Sequence, residues 1–150
     1  MNDQNTSRFA LPYLFSGQAQ KEMTHNEALI AIDALLHPIV EETLNTPPAL
    51  LNTVDAGKCW HIGNAPSGLW QNRARQIANW SGSSWRFVIP QRGMKVFNRA
   101  TGVYNIFEIG NWVEPASIMD PIQGNIIDLE ARSAISAILG MLRETAVIPA

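Results

Sequence analysis

Residues 76–89 read Gln76-Ile77-Ala78-Asn79-Trp80-Ser81-Gly82-Ser83-Ser84-Trp85-Arg86-Phe87-Val88-Ile89, two apolar runs around a Ser/Gly turn. Strand formers on both sides of a glycine-bearing turn predict a β-hairpin. Trp80 and Trp85 flank the turn and can meet across the strand pair, a contact worth about 0.2–1 kcal/mol. Phe107-Glu108-Ile109-Gly110-Asn111-Trp112 repeats the arrangement weakly: an aromatic residue, a glycine turn, then Trp five positions on. Two copies are too few to imply a solenoid or a propeller.

Outward from this hairpin, strands are expected at residues 58–62, 85–89, 94–98, 103–107 and 112–114, with 76–80 as the first arm. Turn signals such as Gly63-Asn64, Pro66-Ser67-Gly68 and Gly110-Asn111 separate them. Upstream, Thr24-His25-Asn26-Glu27 has capping-box spacing. Leu29, Ile32, Leu35 and Leu36 then form one apolar helical face, and Pro38 ends the helix. Residues 39–44 can pair as a further strand. Downstream, residues 125–145 predict a second helix, capped by Asn125 or Asp128. Ile127, Ala131, Ala134, Ile138 and Met141 step by four, three, four and three, a short heptad-like seam. That helix either packs on its own domain or self-associates. Gly140 inside it costs about 1 kcal/mol relative to Ala unless close helix packing offsets this.

The expected fold is α+β and mainly β. A small antiparallel hairpin meander carries an N-terminal helix and a C-terminal oligomerising helix. Residues 1–23 form an extended arm, residues 24–115 the helix and Trp-rich β domain, and residues 116–150 a linker and the C-terminal helix. The arm is apolar around Pro12 (Phe9, Leu11, Tyr13, Leu14, Phe15) and suits docking on another surface, with Phe9, Tyr13 and Phe15 as interface residues. A chain of 150 residues, 46% hydrophobic and 16% charged, can bury a core of its own. The single cysteine, Cys59, excludes an intrachain disulfide. No segment has the apolar length of a membrane helix and no secretory leader is evident, so assembly in the cytoplasm is expected.

Catalytic and metal-binding motifs are not found. The nucleophile elbow, phosphate loops, dinucleotide fingerprints and histidine metal motifs are missing. Cys59 and His61 share one face of an alternating strand, but nothing else marks them as a catalytic dyad. No cofactor is expected. The charge pattern is more informative. From residue 56 to 107 the chain has Lys58, Arg73, Arg75, Arg86, Arg92, Lys95 and Arg99 and no acidic residue. Trp60, Trp70, Trp80 and Trp85 lie in the same span, with Trp112 just beyond. Such interleaving suits single-stranded nucleic acid, the less favoured ligand, or glycan, with rings stacking on sugars and Arg forks holding acidic groups. The candidate glycan site is Trp70, Trp80, Trp85, Arg73, Arg75 and Arg86, with Trp70 the best loop-exposed ring. The alternatives are that the tryptophans are core and that the cations pair with the acidic flanks.

Residues 17–29, Gly-Gln-Ala-Gln-Lys-Glu-Met-Thr-His-Asn-Glu-Ala-Leu, resemble the N-terminal signature of a phage-related family of unknown function. Its members occur in alphaproteobacterial prophages and gene transfer agents. The resemblance continues through Thr46-Pro47-Pro48, the stretch Gly57-Lys58-Cys59-Trp60-His61-Ile62-Gly63, Gly68-Leu69-Trp70, Ile77-Ala78-Asn79-Trp80 and Ser84-Trp85-Arg86-Phe87. It spans roughly residues 9–115 and implies a virion protein encoded near tail-fibre or host-specificity genes, with no catalytic residue to carry over. The expectation is a non-enzymatic fibre or spike component, trimeric by analogy with fibres, bound to tail or capsid proteins and touching host-surface polysaccharide. A glycan-binding adaptor for another fibre protein is the alternative, and a glycan depolymerase is less favoured.

Overall fold

A computed structural model describes residues 5–14, 21–121 and 128–149. Helix α1 (Lys21–Leu36) is already running at Lys21, so Thr24 and Glu27 lie inside it and do not cap it. It stops at Leu36, where His37-Pro38 ends it as expected. Its buried side differs from the expected apolar face. Asp33 and Ala34 are buried, whereas Ile32 and Leu36 face outward. Ala34 is small enough to pack into the core, and Asp33 is held there by hydrogen bonds from the N-terminal arm.

The six strands expected after residue 57 all form, each end within one residue of its expected place. They are β3 (Cys59–Ile62), β4 (Ile77–Trp80), β5 (Trp85–Val88), β6 (Lys95–Asn98), β7 (Val103–Glu108) and β8 (Asn111–Val113). Residues 39–44 give two short strands, β1 (Ile39–Val40) and β2 (Thr43–Leu44). The architecture is α+β: the described residues form two α-helices and eight strands in two four-stranded sheets, ordered β2-β3-β4-β5 and β1-β6-β7-β8. The expected single antiparallel meander is therefore two antiparallel meanders, each edged by a parallel strand from the 39–44 segment.

The backbone of that segment changes sides at Glu41. Before it, the carbonyls of Pro38 and Val40 accept from Phe97 and Arg99 of the second meander, both at 3.0 Å. After it, the carbonyls of Glu42 and Leu44 accept from His61 and Gly63 of the first meander, at 3.0 and 2.8 Å. At the switch, the Glu41 amide donates to Cys59 and its carbonyl accepts from Ala100.

The weak repeat corresponds to a structural equivalence between the two meanders. Trp80 lies opposite Trp85, and Phe107 opposite Trp112, with ring centroids 5.2 and 5.1 Å apart. Gly57 donates to the Trp80 carbonyl at 2.7 Å, as Gly93 does to Phe107 at 2.8 Å. Both glycines have left-handed φ, +86° and +83°, at the corner leading into their strand. The return bonds match too: Trp80 donates to Lys58, and Phe107 to Met94, both at 2.9 Å.

The core has two parts. Residues alternating along β3 bury both of its faces. One face contributes Cys59, which with Ala34, Val40, Ile77 and Val96 forms a cluster flanked by Val88, Met94 and Trp112. The other contributes Trp60 and Ile62, which pack with Trp70 and Ala78 beneath Leu44, Leu51, Trp80, Trp85 and Phe87.

Helix α2 (Leu129–Glu144) starts at Asp128, whose side chain accepts from the Ala131 amide at 2.9 Å; the alternative cap, Asn125, lies outside the described residues. It is tied back by Arg143, which reaches Asp120 at 3.1 Å and the Ile118 carbonyl at 2.8 Å. Arg132 donates to the Pro121 carbonyl, and Leu139 and Ile148 are buried. Among the described residues, a Cβ added at Gly140 would meet no atom within 4 Å, so close packing against them does not account for this glycine.

The turn between β7 and β8 is Ile109-Gly110, both at positive φ, as a two-residue hairpin requires. A β-branched residue fits this geometry poorly. Ile109 is 89% exposed and so has little packing to lose. Ile109→Asn is expected to raise unfolding stability by about 1 kcal/mol, measurable as a higher urea midpoint at unchanged slope.

Candidate functional site

The tryptophans form a framework. Trp85 is its hub, with Trp60, Trp70 and Trp80 centred 5.5, 5.1 and 5.2 Å from it. Trp70, expected on an exposed loop, is 0% exposed. The 3-10 turn Gly68–Trp70 points its ring into the cluster and leaves Leu69 outside. A ring with no open face cannot stack on a sugar, so Trp70 leaves the candidate glycan site. Trp80 and Trp85 are half-buried, and the Trp80 indole donates to the Asn52 carbonyl at 3.1 Å. Trp112 donates to the Arg75 carbonyl at 2.9 Å and stacks on His61 at 4.1 Å. These contacts use the rings for packing.

The cations divide in the same way. Lys58 pairs with Asp55, Arg86 with Glu27, Arg92 with Glu108 and Arg99 with Glu41, all acids outside the acid-free span. Arg86 also donates to Ser84 and to the Trp85 carbonyl, and so joins α1 to β5. Arg73 lies over the Phe87 ring at 4.6 Å, and Arg75 donates to Asn64 at 3.1 Å. Among the described residues neither makes an ion pair. Arg73 and Arg75 thus remain exposed on the β3–β4 connection, whereas Arg86 is committed to the fold.

Cys59 and His61 share a face but act separately. The Cys59 thiol donates to the Gly57 carbonyl and accepts from the Asn79 amide at 3.3 Å. Burial raises its pKa. Burial lowers that of His61 to about 4. Both shifts favour neutral groups and oppose a thiolate–imidazolium pair. Among the described residues, no group of His, Cys, Asp and Glu is placed to hold a metal ion.

The N-terminal arm is not extended over residues 5–14. Thr6 donates from its amide to the Leu11 carbonyl at 2.9 Å, closing a turn. Asp33 of α1 holds this turn. Its carboxylate accepts from the Thr6 hydroxyl at 2.7 Å and from the amides of Arg8 and Phe9 at 2.9 and 2.7 Å. The Arg8 guanidinium caps α1 through the Ala34 and His37 carbonyls, both at 2.9 Å. Farther along, Asn26 exchanges two hydrogen bonds with the Leu14 backbone. Gly57 permits the close approach: a Cβ there would lie 2.8 Å from the Arg8 Cγ. The expected docking surface for the arm is therefore its own helix. Phe9 remains exposed, Tyr13 is half-buried, and Phe15 and Ile127 lie outside the described residues.

Docking the arm creates a cleft of about 800 Å³. Its walls are Asn5, Thr6, Ser7, Ala10 and Tyr13 from the arm, with Thr53, Val54 and Ala56 facing them. Ser81, Gly82 and Ser83, the tip of the β4–β5 hairpin, complete it. Sequence reading missed this site because residues 5–13, 53–56 and 81–83 meet only through the fold. Folding back at Thr6 was the hidden step, and its only local sign is the polar run before Phe9.

The His61 environment makes stability pH-dependent. With a folded pKa near 4 against an ordinary 6.5, unfolding takes up a proton as pH falls below 6.5. Stability from this group is present above pH 6.5 and is lost towards pH 4, by about 3 kcal/mol in all. Thermal melts over that range are expected to show the loss, and His61→Phe is expected to flatten it.

Among the described residues no helix is long and apolar enough to cross a membrane. No curated protein matches the chain. The family model described as a protein of unknown function (DUF2793) matches residues 25–113, from within α1 to the end of β8. That match covers more than half of the chain, which therefore belongs to the DUF2793 family.

Proposed function

We propose that the chain is a structural and binding component of a phage or phage-like particle, part of a tail fibre or spike, which self-associates through α2. The observation that carries this reading is the uncovered stripe of α2. Ile138 and Met141 are 54% and 56% exposed, with Ala131 and Ala134 exposed on the same seam. Arg132 and Arg143 bond to residues 118–121 just ahead of the helix and Leu139 is buried, while that stripe is left outward. Apolar side chains at alternating three- and four-residue steps are what one helix offers another. A trimer follows from fibre analogy alone. The sequence resemblance to prophage and gene-transfer-agent proteins supports the particle setting. The other partners in this reading are tail or capsid proteins and host-surface polysaccharide.

A second reading, a glycan-binding adaptor for another receptor-binding protein, is favoured by the hydroxyl-lined cleft. Among the described residues no carboxylate lines that cleft, which suits holding a sugar better than cleaving it as a depolymerase would.

Light scattering tests the self-association. An oligomer is expected at micromolar concentration, and Ile138→Glu with Met141→Glu is expected to return it to monomer without changing its circular dichroism. A monomeric wild-type chain would refute assembly through α2. Mass spectrometry of particles from an induced host tests the setting; particles lacking the chain would refute it.

A further inference from the structure

The cleft between arm and hairpin has a composition that specifies a ligand class. Among the described residues, none of its lining side chains is charged. Two of its polar side chains are spent on the framework. The Thr6 hydroxyl donates to Asp33 and accepts from the Leu11 amide. The Ser81 hydroxyl bonds to Ser84 across the hairpin turn. The others are uncommitted: among the described residues, the side chains of Asn5, Ser7, Tyr13, Thr53 and Ser83 make no hydrogen bond within the chain. They bring donors and acceptors to the cleft from three separate parts of the chain. Between them lie apolar surfaces: the Tyr13 ring, Ala10, Ala56 and the exposed Val54. The cleft's size falls within the range of about 300–1,000 Å³ common to small-ligand sites.

We propose that this cleft binds a neutral carbohydrate, with Tyr13 as the stacking platform and the Ser7, Thr53 and Ser83 hydroxyls as hydrogen-bonding partners. The inference rests on the glycan-recognition reading and moves it away from the tryptophans and arginines. A neutral sugar needs what the cleft supplies: many weak donors and acceptors around a small apolar patch, and no fixed charge. An acidic sugar or a phosphate would require a cation, and the exposed pair Arg73 and Arg75 does not line this cleft. An extended peptide would be expected to use an open strand edge, whereas the arm meets itself through the isolated Asn5–Pro12 bridge.

The test is calorimetric titration of the full chain with neutral gluco-, manno- and galacto-oligosaccharides, with oligogalacturonate as the acidic arm and a Ser/Gly-rich peptide as the protein arm. Binding of a neutral oligosaccharide is expected. Tyr13→Ala is expected to weaken it by about tenfold. Ser83→Trp, which fills the cleft from an exposed turn, is expected to abolish it without shifting the melting temperature. Neutral-sugar binding that survives both substitutions would overturn the site. Binding of oligogalacturonate alone, lost in Arg73→Ala with Arg75→Ala, would overturn the site and leave the glycan reading standing. Binding of the peptide alone would overturn the ligand class, and binding of no saccharide would sink the site and the glycan reading together.

Discussion

The structure depends on one segment that serves two sheets. Residues 38–44 bond to the second meander through Pro38 and Val40, then to the first through Glu42 and Leu44. A buried carbonyl without a partner costs more than the net worth of the bond it loses, so both meanders must be in place for this segment to be satisfied. The segment also sets the distance between the meanders. Val40, fully buried, packs with Cys59, Ile77 and Val96, which come from both of them.

The equivalence of the meanders shows what each has added to a shared plan. Both have the corner glycine, the parallel edge strand and the aromatic pair across the hairpin. The first has gained a second apolar layer. Its long connections from β2 to β3 and from β3 to β4 bring Leu51 and Trp70 over Trp60, Trp80 and Trp85. Tryptophan suits this task because a single large ring fills the space between a loop and a sheet. Among the described residues the second meander has no such layer and instead receives the segment after α2, where Ala146 accepts from the Tyr104 amide.

Much of the fold was legible in the sequence, and the limits of that reading have physical causes. Strands β3 to β8 were readable because alternation, aromatics and glycine turns are local signals. Splitting residues 39–44 between two sheets was not readable, since the side change at Glu41 is a backbone event with no side-chain signature. The start of α1 is hidden because Thr24 and Glu27 match a capping box, yet the helix extends past them to Lys21. The burial of Trp70 is hidden for a related reason. Its neighbours Gly68, Leu69 and Gln71 read as a loop, and they are one, but the 3-10 turn directs the indole inward. For the candidate site, the charge pattern proved to describe ion pairing with Glu27, Glu41, Asp55 and Glu108, and the cleft gave no contiguous motif to find.

Asp33 holds the arm largely by its main chain. Two of the three donors to its carboxylate are the amides of Arg8 and Phe9, which every residue but proline possesses. Only the Thr6 hydroxyl depends on side-chain identity. These bonds thus do not depend on the side chains of Asn5, Ser7 and Tyr13, which the arm presents to the cleft. One wall of the cleft can drift in sequence while its anchorage stays intact. A rigid scaffold that carries a freely varying wall is the arrangement by which related chains diverge in specificity without first losing their fold.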